Sequence, residues 1–313
     1  MSEKTTSYRL GSHTVELSRP DKVLFPDAGL TKSDLADYYR RAAETMLPYL
    51  RGRPVSMHRF PDGIDGEDFY HKEAPDYFPD WIRQVPVKIK EGGRQSQVVI
   101  GNAATLVYLA DQACITPHVW LSRADRLNHP DRMIFDLDPP GDDFEIVRRG
   151  ARALREVLEE EKLFAQVMTT GSRGLHVTVP LDRSADFETV RDFARQMAEL
   201  LAARQPKVFT VETRKDKRRG RLFLDYLRNA YGQTAVPPYA VRARPGAPVA
   251  APLGWEELSD GDLTARSYTI KNIFRRLGQK GDPWKGLGRH ARSLNEPRRR
   301  LKELLRKEDS PES

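Results

Sequence analysis

A mixed-sheet α/β fold is what this 313-residue sequence predicts, on two observations. From residue 133 onward, stretches of period-two apolar alternation exchange with stretches of helical period, the order in which a mixed sheet takes helices onto its faces. Upstream, short β-type runs are separated by Gly and Pro turns, with one clearly amphipathic helix among them. The length suits one large or two ordinary domains with an ample core.

In chain order, residues 8–17 read as a hairpin turning at Gly11-Ser12, and Ser18 to Pro26 as a loop presenting Lys22. Thr31 and Asp34 form a capping-box pattern, followed by Leu35, Tyr38, Ala42 and Met46 at helical spacing. Lys32 therefore falls in a first helical turn, where free N–H groups favour an anion; it suits a solvated lysine, or one sharing a phosphate with Lys22. Pro54 to Gly63 reads as a strand entering a turn. Phe69 and Tyr70, flanked by Arg59, His71 and Lys72, would stack on bases beside a phosphate-binding groove or fill core. Runs at 85–89 and 97–100, with a Gly92-Gly93 turn, precede an apolar helix-like segment leading to Thr116-Pro117-His118.

The second half alternates regularly. A strand at 133–138, a helix over 144–163, strands at 165–170 and 174–181, a helix over 187–203 and strands at 207–212 and 221–227 follow one another. Residues 237–254, rich in Pro, Ala and Gly, read as an ordered loop crossing the surface with Arg242 facing in, and 267–277 as the last helix of the core. These elements make one domain over 1–288, with an N-terminal part at 1–130 and a mixed-sheet core at 131–288. A basic helix and a frayed end, Glu308 to Ser313, complete the chain over 289–313.

Composition narrows the chemistry. The 52 basic against 45 acidic residues, a formal charge of +7, favour an anionic partner. The single cysteine, Cys114, forbids an internal disulfide, suits a reducing compartment and, lying in an apolar run, reads as a buried structural thiol. The N-terminus has no apolar signal core and no window approaches 18 apolar residues, so a soluble, cytoplasmic protein without membrane contact is expected.

Three segments carry chemistry. In Met133 to Pro140, alternation points Asp136 and Asp138 the same way at a strand end stopped by Pro139-Pro140. Two carboxylates so close repel unless a cation lies between them, although an Asp-x-Asp at a strand end also occurs as a solvated edge. Thr170-Gly-Ser172-Arg173-Gly is a small polar turn between strands that puts hydroxyls and bare N–H groups at one end, beside Arg173 and His176. It suits a phosphate or a plain hairpin, and it is not a P-loop. Asp225 interrupts the apolar strand Arg221 to Leu227, where either a cation shared with Asp136 and Asp138 or an ion pair with Arg228 would compensate it. Three carboxylates from two strands could hold two divalent cations through oxygen, as in-line displacement at phosphorus requires. No zinc-spaced Cys/His cluster and no G-x-S-x-G is present in the sequence.

Asp136-Leu-Asp-Pro139, Thr169-Thr-Gly-Ser-Arg-Gly-Leu-His176 and Phe223-Leu-Asp-Tyr-Leu-Arg-Asn229 resemble the three signature motifs of the archaeo-eukaryotic primase superfamily. The resemblance is to the polymerase domain of bacterial end-joining DNA ligase D, and it extends through Pro20 to Pro26, Gly29 to Asp34, Arg59 to Gly63 and Tyr239 to Gly246. It implies a primase-type catalytic core with an RRM-like sheet and a packed N-terminal part. It implies Asp136, Asp138 and Asp225 as ligands of two Mn²⁺ or Mg²⁺ ions, with His118 close to the catalytic centre. Thr170, Ser172, His176, Arg228 and Arg242 would contact an incoming NTP or dNTP. Lys22 and Lys32 would grip a DNA 5′-phosphate, and Phe69 or Tyr70 would stack on template bases. The implied activity is template-directed nucleotide addition, favouring ribonucleotides, at gaps and ends during non-homologous end joining, with Ku and an ATP-dependent DNA ligase as partners. A primase starting chains without a primer, and a non-catalytic end-bridging module, are the alternatives. The ligase and nuclease modules often fused to such domains are absent from these 313 residues.

Overall fold

The computed structural model describes residues 5–89 and 92–308; Lys90, Glu91 and the expected frayed residues 309–313 lie outside them. In chain order the elements are β1 (Thr5–Leu10), β2 (His13–Ser18), β3 (Val23–Phe25), β4 (Leu30–Thr31), α1 (Lys32–Leu50), β5 (Arg53–Arg59), β6 (Phe69–His71), β7 (Gln84–Lys88), β8 (Arg94–Ile100), α2 (Ala103–Asp111) and β9 (Cys114–Trp120). They continue with β10 (Arg132–Asp138), α3 (Phe144–Glu160), β11 (Gln166–Thr169), β12 (Leu175–Pro180), α4 (Phe187–Arg204), β13 (Phe209–Thr210), β14 (Leu222–Asp225), β15 (Thr234–Ala235), β16 (Pro252–Leu253), α5 (Ile273–Lys280) and α6 (Asn295–Glu308). Two units form: Met1–Asp125 with Thr234–Ala251 and Arg266–Asp282, and Arg126–Gln233 with Pro252–Ala265 and Pro283–Ser313.

In the second unit, the period-two run of β10 becomes a central strand of a sheet ordered β13-β14-β10-β12-β11-β16, antiparallel except for β13 with β14. Leu137 lies opposite Leu224, and both are fully buried. Gly150 of α3 approaches this side of the sheet so closely that a Cβ there would come 2.3 Å from Leu222 Cδ2. The helix side is therefore the apolar one, and strand alternation leaves Asp136, Asp138, Phe223 and Asp225 on the other face.

The first unit is built on a sheet ordered β15-β9-β5-β8-β7, with β6 also pairing β5. Its helix α1 starts at the expected capping box: Thr31 Oγ1 accepts from Asp34 N–H and the Asp34 carboxylate accepts from Thr31 N–H. The β1–β2 hairpin turns at Gly11-Ser12 as expected, with Leu10 opposite His13. Three expectations need correction. Cys114 to His118 lie in β9, every residue of which is buried, rather than at the end of a helix-like run; the helix α2 stops at Asp111. Residues 237–254 cross the surface only at their middle: Arg244 and Pro245 are exposed and Arg242 is half-buried, whereas Tyr239, Ala240, Val241, Ala247, Val249, Ala250 and Ala251 are buried. Small side chains let the segment in, and its backbone groups find partners there. Tyr38 Oη donates to Tyr239 O at 2.7 Å, Thr116 Oγ1 to Val241 O at 2.6 Å and Ala250 N to Ala240 O at 2.9 Å. The last helix of that unit also begins later than expected, at Ile273, because Asn272 closes a turn by accepting from Thr269 N and donating to Ser267 O.

Candidate functional site

Register brings the acidic residues together. Asp136 of β10 lies directly opposite Asp225 of β14 on one side and His176 of β12 on the other. Residues opposite one another in an antiparallel pair share a face. His176, Asp136 and Asp225 therefore form a row across the sheet, with Asp138 two residues along on the same face. The ion pair of Asp225 with Arg228 that local sequence allowed is not what forms. Arg228 Nε lies 3.5 Å from Asp136 Oδ2, while Asp225 Oδ1 accepts from Leu227 N at 2.7 Å. Burial pushes the Asp225 carboxyl above its usual range, and the Asp136 charge opposite adds to the rise.

Basic side chains surround this acidic row. His176 Nε2 is 3.6 Å from Asp136 Oδ2, and His176 Nδ1 is buried with no hydrogen-bond partner among the described residues. Arg218, which local reading passed over, is buried, donates to Asp138 Oδ2 at 3.4 Å and lies 3.8 Å above the centroid of the Phe223 ring. Its only sequence signal is its place in a run of basic residues from Arg214 to Arg221. Among the described residues no three His, Cys, Asp or Glu side chains converge as a metal cage. Asp138 is turned to Arg218 and Asp225 to a backbone N–H, so hard oxygen donors of the right kind stand on one face with their lone pairs engaged locally.

The turn at 170–174 adjoins the end of β10. Its N–H groups are less bare than expected, because the Thr170 hydroxyl accepts from both Ser172 N and Gly174 N at 3.3 Å. Arg173 Nη2 donates to Pro139 O at 3.0 Å and so ties the turn to the loop after β10. Gly174 is required sterically: a Cβ there would stand 1.9 Å from Leu137 O.

The first unit holds the remaining candidates. Lys32 is in the first turn of α1 as expected, but it is buried, and its ammonium donates to Asp111 Oδ1 at 2.7 Å, Ser18 O at 2.8 Å and Ser18 Oγ at 3.0 Å. Three donors and three acceptors leave nothing over. Lys22 is more accessible and pairs with the exposed Asp62 at 2.7 Å, holding that carboxyl below the usual carboxylate range. Asp111 is distant in sequence, so no local pattern announces the buried pair. Lys32→Ala is expected to cost about 3 kcal/mol by stranding Asp111, measurable by denaturant unfolding; a cost below about 1 kcal/mol would contradict the pairing.

Phe69 and Tyr70 are exposed, not core, and as neighbours on β6 they point to opposite faces. Tyr70 stacks on His58, centroids 4.1 Å apart and rings within 12°, and His58 Nε2 lies 2.6 Å from Asp68 Oδ1. Phe69 instead has the Arg59 guanidinium 5.5 Å from its centroid. His118 of β9 is buried, its ring 5.5 Å from that of Tyr70. Burial lowers the His58 pKa; Arg242 and Arg244 act in the same direction, against Asp68. His58 was missed because a lone histidine in a strand carries no signal without its cross-strand partner.

Comparisons with known proteins identify the family. A family model described as the LigD primase-polymerase domain matches residues 31–284. The multifunctional non-homologous end joining protein LigD of Mycolicibacterium smegmatis is 33% identical over 271 residues, 86% of this chain and 35% of that protein. Its Pseudomonas aeruginosa counterpart is 34% identical over 279 residues, 88% of this chain and 33% of that one. The bifunctional LigD of Bacillus subtilis is 31% identical over 266 residues, 84% of this chain and 42% of the relative. This chain thus spans between 33% and 42% of the length of these relatives. Among solved structures, the polymerase domain from Mycobacterium tuberculosis ligase D in complex with DNA superposes with a TM-score of 0.82 at 33% identity, covering 88% of this chain and 99% of that one. The mixed α/β architecture is accordingly the archaeo-eukaryotic primase-like one of that domain. With a carboxylate row built on its central strands and a family match over most of its length, the chain belongs to the LigD primase-polymerase family.

Proposed function

We propose that this chain is a DNA-dependent nucleotidyltransferase that adds nucleotides, ribonucleotides by preference, at gaps and ends during repair of double-strand breaks by non-homologous end joining. The observation that supports it most is the pairing of Asp136 with Asp225, with Asp138 on the same face, in a chain of this family. The repair context follows from the relatives, which are named as end-joining proteins; Ku and an ATP-dependent ligase are the corresponding proposed partners.

In the reaction the primer 3′-hydroxyl oxygen bonds to the α-phosphorus, the bond to the bridging oxygen breaks, and pyrophosphate leaves while the hydroxyl proton passes to solvent. Asp136, Asp138 and Asp225 would hold two Mn²⁺ or Mg²⁺ ions, whose charge would stabilise the attacking and leaving oxygens. Converging on them requires Asp138 and Asp225 to exchange their present contacts with Arg218 and Leu227 N–H. His176, with Nδ1 free, Arg228, Thr170 and Ser172 bind and orient the triphosphate, and Arg173 holds their turn in place. In the first unit, Tyr70 or Phe69 offers a ring to the template and Lys22 meets the 5′-phosphate, while Lys32 is already saturated by Asp111 and Ser18; the nucleotide role of Arg242 and the catalytic role of His118 rest on the family resemblance.

Primer extension on a gapped duplex tests this reading, with the metal, the sugar and the downstream 5′-phosphate varied. Metal-dependent addition is expected, faster with ribonucleotides and with the 5′-phosphate present. Lys22→Ala should shrink the phosphate advantage severalfold without unfolding the protein; an unchanged ratio would remove that role. Addition on unprimed single strands would favour a primase, and no incorporation under any condition would leave only end bridging.

A further inference from the structure

Asn229 has no assigned part in the site, yet its side chain does the work of a missing strand. The strand β14 pairs with β10 only across Asp136–Asp138, after which the chain leaves the sheet in a 3-10 turn at Leu227–Asn229. Ile134, two residues before Asp136, would then keep a buried N–H and C=O without a ladder partner on that side, a costly outcome. The carboxamide of Asn229 fills the rung. Its Oδ1 accepts from Ile134 N at 2.9 Å, and its Nδ2 donates to Ile134 O at 2.7 Å and to Tyr226 O at 2.9 Å. Asn229 is fully buried. Both amide hydrogens and one oxygen lone pair are used, a pattern in which aspartate lacks the donors and leucine lacks everything.

The turn pinned this way is the one that carries Arg228. The Arg228 side chain is 42% exposed and touches Asp136 at 3.5 Å, so little packing of its own holds it there. Its backbone is fixed instead from both ends, by Asp225 in register with Asp136 and by Asn229 bonded to Ile134 on the same strand. We infer that Asn229 is a positioning residue, which sets Arg228 against Asp136 and thereby presents its guanidinium to the phosphates of the incoming nucleotide. The second half of that statement rests on the nucleotide-binding reading of Arg228 proposed above.

The test uses the full chain with Arg228→Ala, Asn229→Ala, Asn229→Asp and the Arg228→Ala/Asn229→Ala double variant. Nucleotide KM in primer extension, melting temperature and the Arg228 Nε–Hε resonance are measured. Asn229→Ala and Asn229→Asp should each raise the nucleotide KM about tenfold, as loss of one charged contact would, and should shift the Arg228 resonance. In the Arg228→Ala background, Asn229→Ala should add less than about twofold to KM, because contacts acting through one another are not additive. A residue that merely stabilised the fold would lower the melting temperature and the active fraction alike in both backgrounds, without moving KM. An additive effect on KM, or an Arg228 resonance unmoved in both Asn229 variants, overturns the inference. An unchanged KM in Arg228→Ala alone would instead remove the nucleotide role of Arg228, and the resonance would still decide whether Asn229 places it. Asn229→Ser, neutral and able to keep one hydrogen bond to the Ile134 rung, is measured in the same way with the same expected direction, so the test stands even if Asn229→Ala or the buried charge of Asn229→Asp prevents folding.

Discussion

Asp225→Asn will reduce nucleotide addition by about a thousandfold or more while leaving the metal-free protein as stable as the wild type, or more so. The asymmetry comes from where the carboxylate sits. Asp225 is desolvated and stands opposite Asp136, so ionising it costs free energy that the Leu227 N–H, Arg228 and His176 only partly offset. Asparagine has nearly the same shape, keeps an oxygen for the Leu227 N–H and carries no charge. The pH dependence follows in sign. A carboxyl whose folded-state pKa is raised above its ordinary 3.8 contributes stability that is present below that value and lost as pH rises through the raised one. The stability difference between Asp225→Asn and wild type should therefore be small in acid and should grow in favour of the variant toward neutral pH. Added Mn²⁺ should reverse the order, raising the melting temperature of the wild type through linkage and leaving that of Asp225→Asn nearly unmoved. Primer extension and thermal melts with and without metal check both halves. Extension within tenfold of wild type would end the assignment of Asp225.

Gly174→Ala will damage both stability and nucleotide binding, although it adds a single methyl group. The new Cβ would stand 1.9 Å from Leu137 O and 3.1 Å from Leu137 C, and these are backbone atoms one residue from Asp136. They cannot turn aside as a side chain can. Either β10 and β12 part at the Leu137–Leu175 rung, or the turn holding Thr170, Ser172 and Arg173 swings away from β10. Overpacking of this kind costs about 1–3 kcal/mol, which corresponds to a fall of roughly 1.5–5 °C in melting temperature for a protein of this size. The nucleotide KM should rise with it. Gly150→Ala supplies the comparison: its Cβ would meet Leu222 Cδ2 at 2.3 Å, the end of a flexible side chain, and the helix could accept it by repacking. It should leave KM near the wild-type value. If Gly174→Ala binds nucleotide and melts like the wild type, the fit between the turn and β10 sets neither stability nor nucleotide binding.

How much of this was legible in the sequence varies with the range of the interaction. The alternation of Met133 to Asp138 sufficed to place two carboxylates on one face, and Thr31 with Asp34 sufficed to start α1, because strand period and helix capping are properties of a few adjacent residues. Adjacent segments were misjudged where composition and environment part company. The 237–254 stretch looks like a surface loop by its Pro and Ala, yet both of its arms are buried because Tyr38 and Thr116, from elements far off in sequence, satisfy its carbonyls. The order of the signature motifs pointed to the family, since a row of local patterns can be matched one by one.

By itself, then, the sequence determined the type and order of most elements, the shared face of Asp136 and Asp138, and the family. Only the tertiary structure decided that Asp225 is held opposite Asp136 while Arg228 turns to Asp136, that Lys32 is saturated by Asp111 and Ser18, and that Asn229 completes the β10 ladder. Each of these depends on two segments meeting across the fold. Pairing register and desolvation arise from that meeting, and no stretch of chain carries them alone.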